Sequence, residues 1–457
     1  MKRILFISLA VVLALSVGLI GCGGEELPPP APESIKVGLA REFDEALSVF
    51  ECGYGGSTYR MFVAQVNADG GIYLSDYDEK VPIELMVRDF SLEEWDIGTV
   101  TEGLIEDGAD FIWGGPGTDC IFTQASVCNA LATVYIGLEG GASSMIWDEK
   151  INDWPYVWPT LSFSNWYQIP VLHDMLVAAT GKENPVAYMS YIGGPGSTHG
   201  IEYRDETIIE FGEENVIDAG FHDYWLPAAP AAADAIIAAA ADALGDPANP
   251  NYDIFCAWTY PWNVAMITVS LIASDFNPPA IILGPGANAE TYVSDFGPYV
   301  NGINSFVVAI PDSSPEVAQM YADIGAQVEK DWDDPDLLCD PGIYTSGMQQ
   351  LDYWGHPCYV AGLEVWARAV ENAGNLDSTA VRAELAKFSS TNPCDTVLGD
   401  TWFTVFGGGN GGGILAYECH PGEVGQWIDG KYEIVGGNEP TASFVYPNTG
   451  NWFWLLD

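Results

Sequence analysis

The chain is 457 residues long and 48% hydrophobic, with 16 Trp, 22 Tyr and 19 Phe; this is a globular composition, longer than a single hydrophobic core usually supports. Its 64 acidic residues face only 15 basic ones, for a formal net charge of −49. Nucleic acids and anionic membrane surfaces both require a cationic face, so the charge argues against either as a partner of the folded body. At the start of the chain, Lys2 and Arg3 precede the unbroken apolar run Ile4–Leu15. That is the architecture of a secretory leader, not of a folded element.

The run ends in Leu19-Ile20-Gly21-Cys22, which resembles the bacterial lipoprotein box. The resemblance implies residues 1–21 as a signal peptide and Cys22 as a lipidated mature N-terminus, with the body outside the cytoplasm. Residues 22–34 contain Leu-Pro-Pro-Pro-Ala-Pro, an extended tether. Eight cysteines follow Cys22, and in an oxidising compartment an even number favours disulfides. The expected pairs are Cys52–Cys120, Cys339–Cys358 and Cys394–Cys419. Cys256, inside Ile254–Trp258, reads as a buried thiol. Cys120 and Cys128 share a helix-length span and would lie roughly 12 Å apart, too far to bridge.

In chain order, Ile35–Leu39 is the first strand, followed by a glycine-containing loop and a helix ending near Asn67, closed by Gly70 and Gly71. Val81–Val87 is a strand and Gly98–Asp107 a helix. The central unit is Phe111–Trp113, then Gly-Gly-Pro-Gly-Thr, a helix over Ile121–Leu131, Val134–Ile136 and a second glycine-rich loop through Ser144. Such alternation predicts parallel sheets covered by helices, with ligands at the carboxyl ends of the strands. After a proline-stiffened crossover (Asp153–Phe163) the alternation resumes: a helix over Trp166–Thr180, a strand over Pro185–Met189, the loop Gly193–Gly200, helices over Tyr203–Phe211 and Ala228–Leu244, and strands over Asp253–Trp258, Ala280–Leu283 and Ser305–Ile310. Thr259–Trp262 reads as a loop. Helices over Tyr359–Ala373 and Leu376–Phe388 precede a tail of strands and hairpins, with Gly407–Gly413 as a hairpin turn.

Catalytic and cofactor signatures are missing. There is no Gly-x-Ser-x-Gly, no His-Glu-x-x-His, no Cys-x-x-Cys and no Gly-Lys-Ser/Thr, and the five histidines are scattered. The sequence therefore predicts neither enzyme, cofactor nor metal site. Asp331, Asp333, Asp334 and Asp336 read as a solvated acidic turn.

Ile35-Lys36-Val37-Gly38, Asn67-Ala68-Asp69-Gly70-Gly71-Ile72, Gly108–Gly114 and Val424-Gly425-Gln426-Trp427-x-x-Gly430-Lys431 together resemble the branched-chain amino acid binding proteins of ABC importers, in order over nearly the whole mature chain. The resemblance implies the type I periplasmic fold, α/β with two doubly wound parallel-sheet lobes joined by a three-stranded hinge. Lobe 1 would be 35–160 with 312–395, and lobe 2 would be 161–311 with 396–457. It also implies ligand delivery to an ABC transporter permease by hinge closure, with membrane contact through the N-terminal lipid only; a sensory module of the same fold, reporting to a membrane partner, is the alternative. The end of the chain at Asp457, without a signalling segment, favours delivery. Carried across, the family's ligand loops fall on Gly117 and Thr118 and on Glu139, Gly140, Gly141, Ala142 and Ser143. In the second lobe they fall on His199, Trp258 and Tyr260. The acid that holds a ligand ammonium falls on Gly286, which bears no carboxylate. The expected ligand is therefore a small, partly apolar molecule with an acceptor group, with Glu139 the one acid placed to substitute.

Overall fold

The computed structural model describes residues 29–43, 47, 50–51, 55–140, 150–161, 164–192, 198–222, 229–246, 248–259, 261–274, 276–332 and 351–447. Cys22, Cys52, Gly141, Ala142, Ser143, Tyr260 and Cys339 lie outside them.

The first half folds around strands β1 (Ile35–Arg41), β4 (Ile83–Asp89), β5 (Phe111–Trp113), β6 (Tyr135–Gly137) and β7 (Val157–Pro159), with β2 (Ile72–Leu74) and β3 (Glu79–Val81) forming a small hairpin. The five-stranded sheet has the order β4-β1-β5-β6-β7 and is parallel throughout. Its middle strands are buried on both faces, hence their continuous apolar runs. Helices α1 (Gly55–Ala68), α2 (Ile97–Glu106) and α3 (Thr118–Ala130) connect them. The α1 helix ends as its glycines predict: Gly70 and Gly71 take φ of 93° and 101°, and the Gly71 amide donates to the Val66 carbonyl at 2.9 Å.

The second half repeats the scheme with α4 (Ser164–Thr180), β8 (Ala187–Ile192), α5 (Thr198–Phe211), β9 (Val216–His222), α6 (Ala229–Leu244), β10 (Ile254–Trp258), α7 (Pro261–Ser274), β11 (Ile281–Leu283), α8 (Glu290–Phe296) and β12 (Ile303–Phe306). Helices α9 (Pro315–Trp332), α10 (Gly355–Ala373) and α11 (Ser378–Leu385) follow. Strands β13 (Cys394–Thr396), β14 (Gly399–Thr401), β15 (Phe403–Val405), β16 (Gly413–Leu415), β17 (Val424–Ile428) and β18 (Lys431–Gly436) complete the chain. The seven-stranded sheet runs β18-β17-β12-β11-β10-β8-β9; β17 and β18 join it antiparallel and the remaining strands are parallel.

The late helices return to the first sheet, with α9 packing on α1 and α10 packing on α1 and β2. Hairpin β15–β16 lies along β7. Its glycines are needed for that approach, because a Cβ on Gly412 would stand 2.3 Å from the Val157 carbonyl oxygen. The chain thus passes between the sheets after Pro159, after Phe306 and again before Val424.

Three local expectations change. Val157–Pro159, read as a crossover, is an edge strand; Pro159 is tolerated there as its last residue. Thr259–Trp262 is loop only briefly, since α7 begins at Pro261, where the missing N–H costs nothing. Helix α5 starts at Thr198, five residues ahead of Tyr203, so His199 lies in a helix; its side chain is outside the described set.

The expected Cys394–Cys419 disulfide is absent. Both are buried free thiols, as are Cys120, Cys128, Cys256 and Cys358. Cys394 opens β13 and is paired in register with Thr401, whereas Cys419 sits in the turn Tyr417–Cys419 beyond the next hairpin. Burial pushes the Cys394 thiol up to about 11 and Cys419 up to about 12, so both stay protonated. Cys120 and Cys358, whose expected partners lie outside the described residues, are likewise unbridged.

Candidate functional site

In open parallel sheets the crevice forms where neighbouring strands send their connections in opposite directions. In the first sheet that point lies between β1 and β5, and in the second between β8 and β10. The side chains at these four strand ends therefore define the candidate site.

At the end of β1, Arg41 is 1% exposed. Its Nε donates to Glu51 Oε2 at 2.7 Å and a guanidinium N–H reaches the Phe50 carbonyl at 2.7 Å, while Nη1 pairs with Glu139. Glu51 also pairs with Arg60, whose Nε reaches Asp331 Oδ2 at 3.0 Å. Asp331 is thus a buried member of this chain of charges, not part of a solvated turn. Burial opposes the Arg41 charge, but Glu139 and Glu51 outweigh it and hold the guanidinium protonated. Burial raises the Glu139 carboxyl while Arg41 pulls it down. Glu139, the one acid expected to meet a ligand ammonium, is committed to Arg41 inside the first sheet.

The loops after β5 and β6 are brought together, as expected. Gly117 (φ 83°) caps α3, and its amide donates to the Glu139 carbonyl at 2.9 Å. Gly140 packs so tightly that a Cβ would lie 2.4 Å from Ile121 Cδ1 and 3.1 Å from Thr118 Cα. Its amide donates to the Leu138 carbonyl at 3.1 Å. The Gly117 amide thus fastens one loop to the other and the Gly140 amide tightens its own loop, so neither is available to a ligand. Thr118 sits at the first position of α3, the positive end of the helix.

In the second sheet Trp258 ends β10 and is 1% exposed. It stacks on Tyr203 (5.2 Å between centroids) and Phe306 (5.8 Å), Tyr203 stacks on Phe306 at 4.8 Å, and Phe306 meets Trp354 at 5.5 Å. The Tyr203 hydroxyl donates to Gln168 Oε1. Among the described residues, polar atoms on the elements that carry this floor are buried without a hydrogen-bond partner, namely Trp258 Nε1 and Thr259 Oγ1 at the end of β10, Gln168 Nε2 on α4 and Glu202 Oε1 on α5. Buried polar groups are nearly always satisfied, so each of these orphans calls for a partner that a bound molecule could supply. Gly286 (φ 122°) turns the loop after β11, its amide donating to Asn288 Oδ1 at 2.9 Å, and presents no acid.

Glu202 was not visible in the sequence as a site residue. It lies in the first turns of α5, directly after β8, and α5 packs against α3 of the first sheet. It is 3% exposed, and burial, reinforced by Asp119 on α3 and Asp205 on α5, pushes its carboxyl up to about 9. One of 64 acids, it carries no motif; only its burial selects it.

A separate cavity of about 870 Å³ is lined by Ser313, Pro315, Glu364, Asp395 and His420 among others. None of the strand-end residues above lines it, so the crevice between the sheets remains the candidate site.

No family model and no curated protein sequence matches the chain. Solved structures do. The leucine-binding protein LivK of Thermotoga maritima is 14% identical with a TM-score of 0.61, over 88% of this chain and 97% of that one. LivJ of Streptococcus pneumoniae, in complex with isoleucine, is 15% identical with a TM-score of 0.61, over 88% and 99%. An ABC-transporter solute-binding protein from R. palustris, in complex with benzoate, is 14% identical with a TM-score of 0.61, over 90% and 98%. These similarities show that the fold is that of the type I periplasmic binding proteins.

Proposed function

We propose that this chain is an extracytoplasmic substrate-binding protein, anchored by a lipid on Cys22, that delivers a small organic ligand to an ABC transporter permease. The ligand class is amino acid-like, amide or carboxylate. The reading is carried by the buried polar atoms without a partner among the described residues: Trp258 and Thr259 at the end of β10, Gln168 on α4, and Glu202 on α5, the helix that packs against α3 of the first half. Two sheets that meet at their switch points can trap a ligand by hinge closure. The lobes expected from sequence are 35–160 with 312–395 and 161–311 with 396–457, crossing near Thr160, Ile310 and Asp395. The packing of hairpin β15–β16 on β7 supports a later third crossing, within Tyr417–Glu423, which would put 396–416 with the first lobe. No nucleophile–base pair opens onto the crevice among the described residues, which supports binding over catalysis.

Two measurements test this. A panel of amino acids, aromatic acids and amides should contain compounds that raise the melting temperature, since ligand binds only the folded form. Closure should also contract the small-angle scattering profile. Failure of every compound would overturn the binding role, and binding with an unchanged profile would overturn closure. Cys22→Ser should release the protein from membranes; a variant that still sediments with membrane would refute the anchor.

A further inference from the structure

We propose that Glu202 is a ligand-contacting hydrogen-bond donor, its carboxyl O–H joining Trp258 Nε1 and Gln168 Nε2 in gripping an oxygen acceptor of the bound molecule. This rests on the binding role proposed above and narrows its ligand to organic acids and amides.

The first support is position. Glu202 belongs to the helix that begins at the carboxyl end of β8, one side of the switch point, and Trp258 ends β10, the other side. Tyr203, the residue after Glu202 on α5, stacks its ring on Trp258 and donates its hydroxyl to Gln168 Oε1, so Glu202 stands one position along the helix from this group. The second support is need, because Glu202 Oε1 is buried with no partner, and burying such a group unsatisfied is costly.

The third support is the character of the neighbours. Trp258 Nε1 and Gln168 Nε2 can only donate, and Thr259 Oγ1 can donate. A ligand ammonium would add donors to donors, whereas a carboxylate or amide oxygen supplies the acceptor all of them lack. Glu202 fits this set only if it carries its proton. The titratable groups acting on it are Asp119 from α3 and Asp205 from its own helix, both acidic. Arg204, the nearest cation in sequence, is held by Asp205 and by the Tyr191 hydroxyl at 3.1 Å. With burial added, the carboxyl stays neutral at pH 7, so a ligand anion meets a donor and not a like charge.

Glutamine separates the two possible roles, because its amide N–H donates as the acid O–H does but carries no charge. The experiment is calorimetric titration of the intact protein with benzoate, benzamide and leucine at pH 7 to 10, with Glu202→Gln and Glu202→Ala checked for native circular dichroism. For the acid or amide that binds, Glu202→Gln should retain affinity within about threefold and Glu202→Ala should lose tenfold or more, the loss of about one hydrogen bond to a charged or polar acceptor. Wild-type affinity for the acid should fall as pH passes about 9, and Glu202→Gln should flatten that profile. Tight leucine binding abolished by Glu202→Gln would show a carboxylate holding an ammonium and overturn the proposal. Acid or amide binding indifferent to Glu202→Ala would overturn it too while leaving the binding role intact. If the wild type binds none of the wider panel, the binding role itself fails and this inference with it.

Discussion

Cys358 Sγ lies 3.6 Å from His420 Nε2, joining α10, which packs on the first half of the chain, to the segment that enters β17 of the second sheet. The other ring nitrogen, Nδ1, lies 3.1 Å from Glu423 Oε1, and all three residues are buried. The burial opposes an imidazolium, but Cys358 and Glu423 favour it more, bringing His420 up to about 10. Replacing His420 by Gln should leave Glu423 buried without its partner and cost about 3–5 kcal/mol; adding Glu423→Gln should recover part of that in chemical denaturation. Because the folded His420 binds its proton more tightly than the unfolded one, its contribution is full below about 6.5 and is lost as pH rises through about 10. Melting curves from pH 6 to 10.5 should show this loss in the wild type and not in His420→Gln.

The Arg41 network makes a second prediction. Arg41 serves both Glu139 and Glu51, so Arg41→Ala leaves the buried Glu139 without its charged partner, while Glu51 keeps Arg60, and should cost about 3–5 kcal/mol. Glu139→Gln should cost less, since Glu51 still holds Arg41. Ligand selectivity should be unaffected by Glu139→Gln, because Glu139 is already committed. A switch in ligand preference in that variant would contradict the assignment.

Stability should decline from acidic to alkaline pH. Burial raises Glu202 to about 9 and Glu364 to about 7; Glu364 also accepts the Val397 amide at 2.7 Å, which pulls the other way. The folded chain thus holds protons that the unfolded chain has released above about 4.3, and the linkage makes stability fall as pH rises between those values. Glu202→Gln should accordingly raise the melting temperature by several degrees at pH 8–9 and change it little at pH 4. Equal shifts at both pH values would mean that Glu202 does not titrate in this window.

The described thiols should be reduced and inert. Cys394→Ser and Cys419→Ser should each cost less than the ~2–5 kcal/mol that removing a native disulfide costs. Thiol reagents should label these two only on unfolding, and a bridged peptide in a non-reducing digest would refute the free state.

Salt should stabilise the protein. A charge of −49 repels itself over the Debye length, and molar NaCl shortens that length to ~3 Å. The melting temperature should be higher in 1 M NaCl than in dilute buffer. A flat or falling dependence would show the charges too dispersed to oppose folding.

The sequence by itself determined the parallel α/β scheme. Short apolar runs such as Phe111–Trp113 and Ile254–Trp258, each opening into a glycine or aromatic loop, admit no other repeated unit. It also placed Thr118 and Trp258 beside strand ends, where the structure has Thr118 opening the helix after β5 and Trp258 ending β10, because strand ends are marked by local chemistry. The glycines at 70 and 71 were legible for the same reason, since a positive φ is a one-residue property. What only the tertiary structure decided depends on partners distant along the chain. Glu139 is claimed by Arg41, 98 residues away. Cys358 lies against His420, 62 residues away, as a free thiol. Glu202 is one acid among 64 until folding buries it and brings Asp119 of α3 to bear on it, raising its carboxyl. Burial and pairing are properties of the folded surroundings, and no local pattern encodes them.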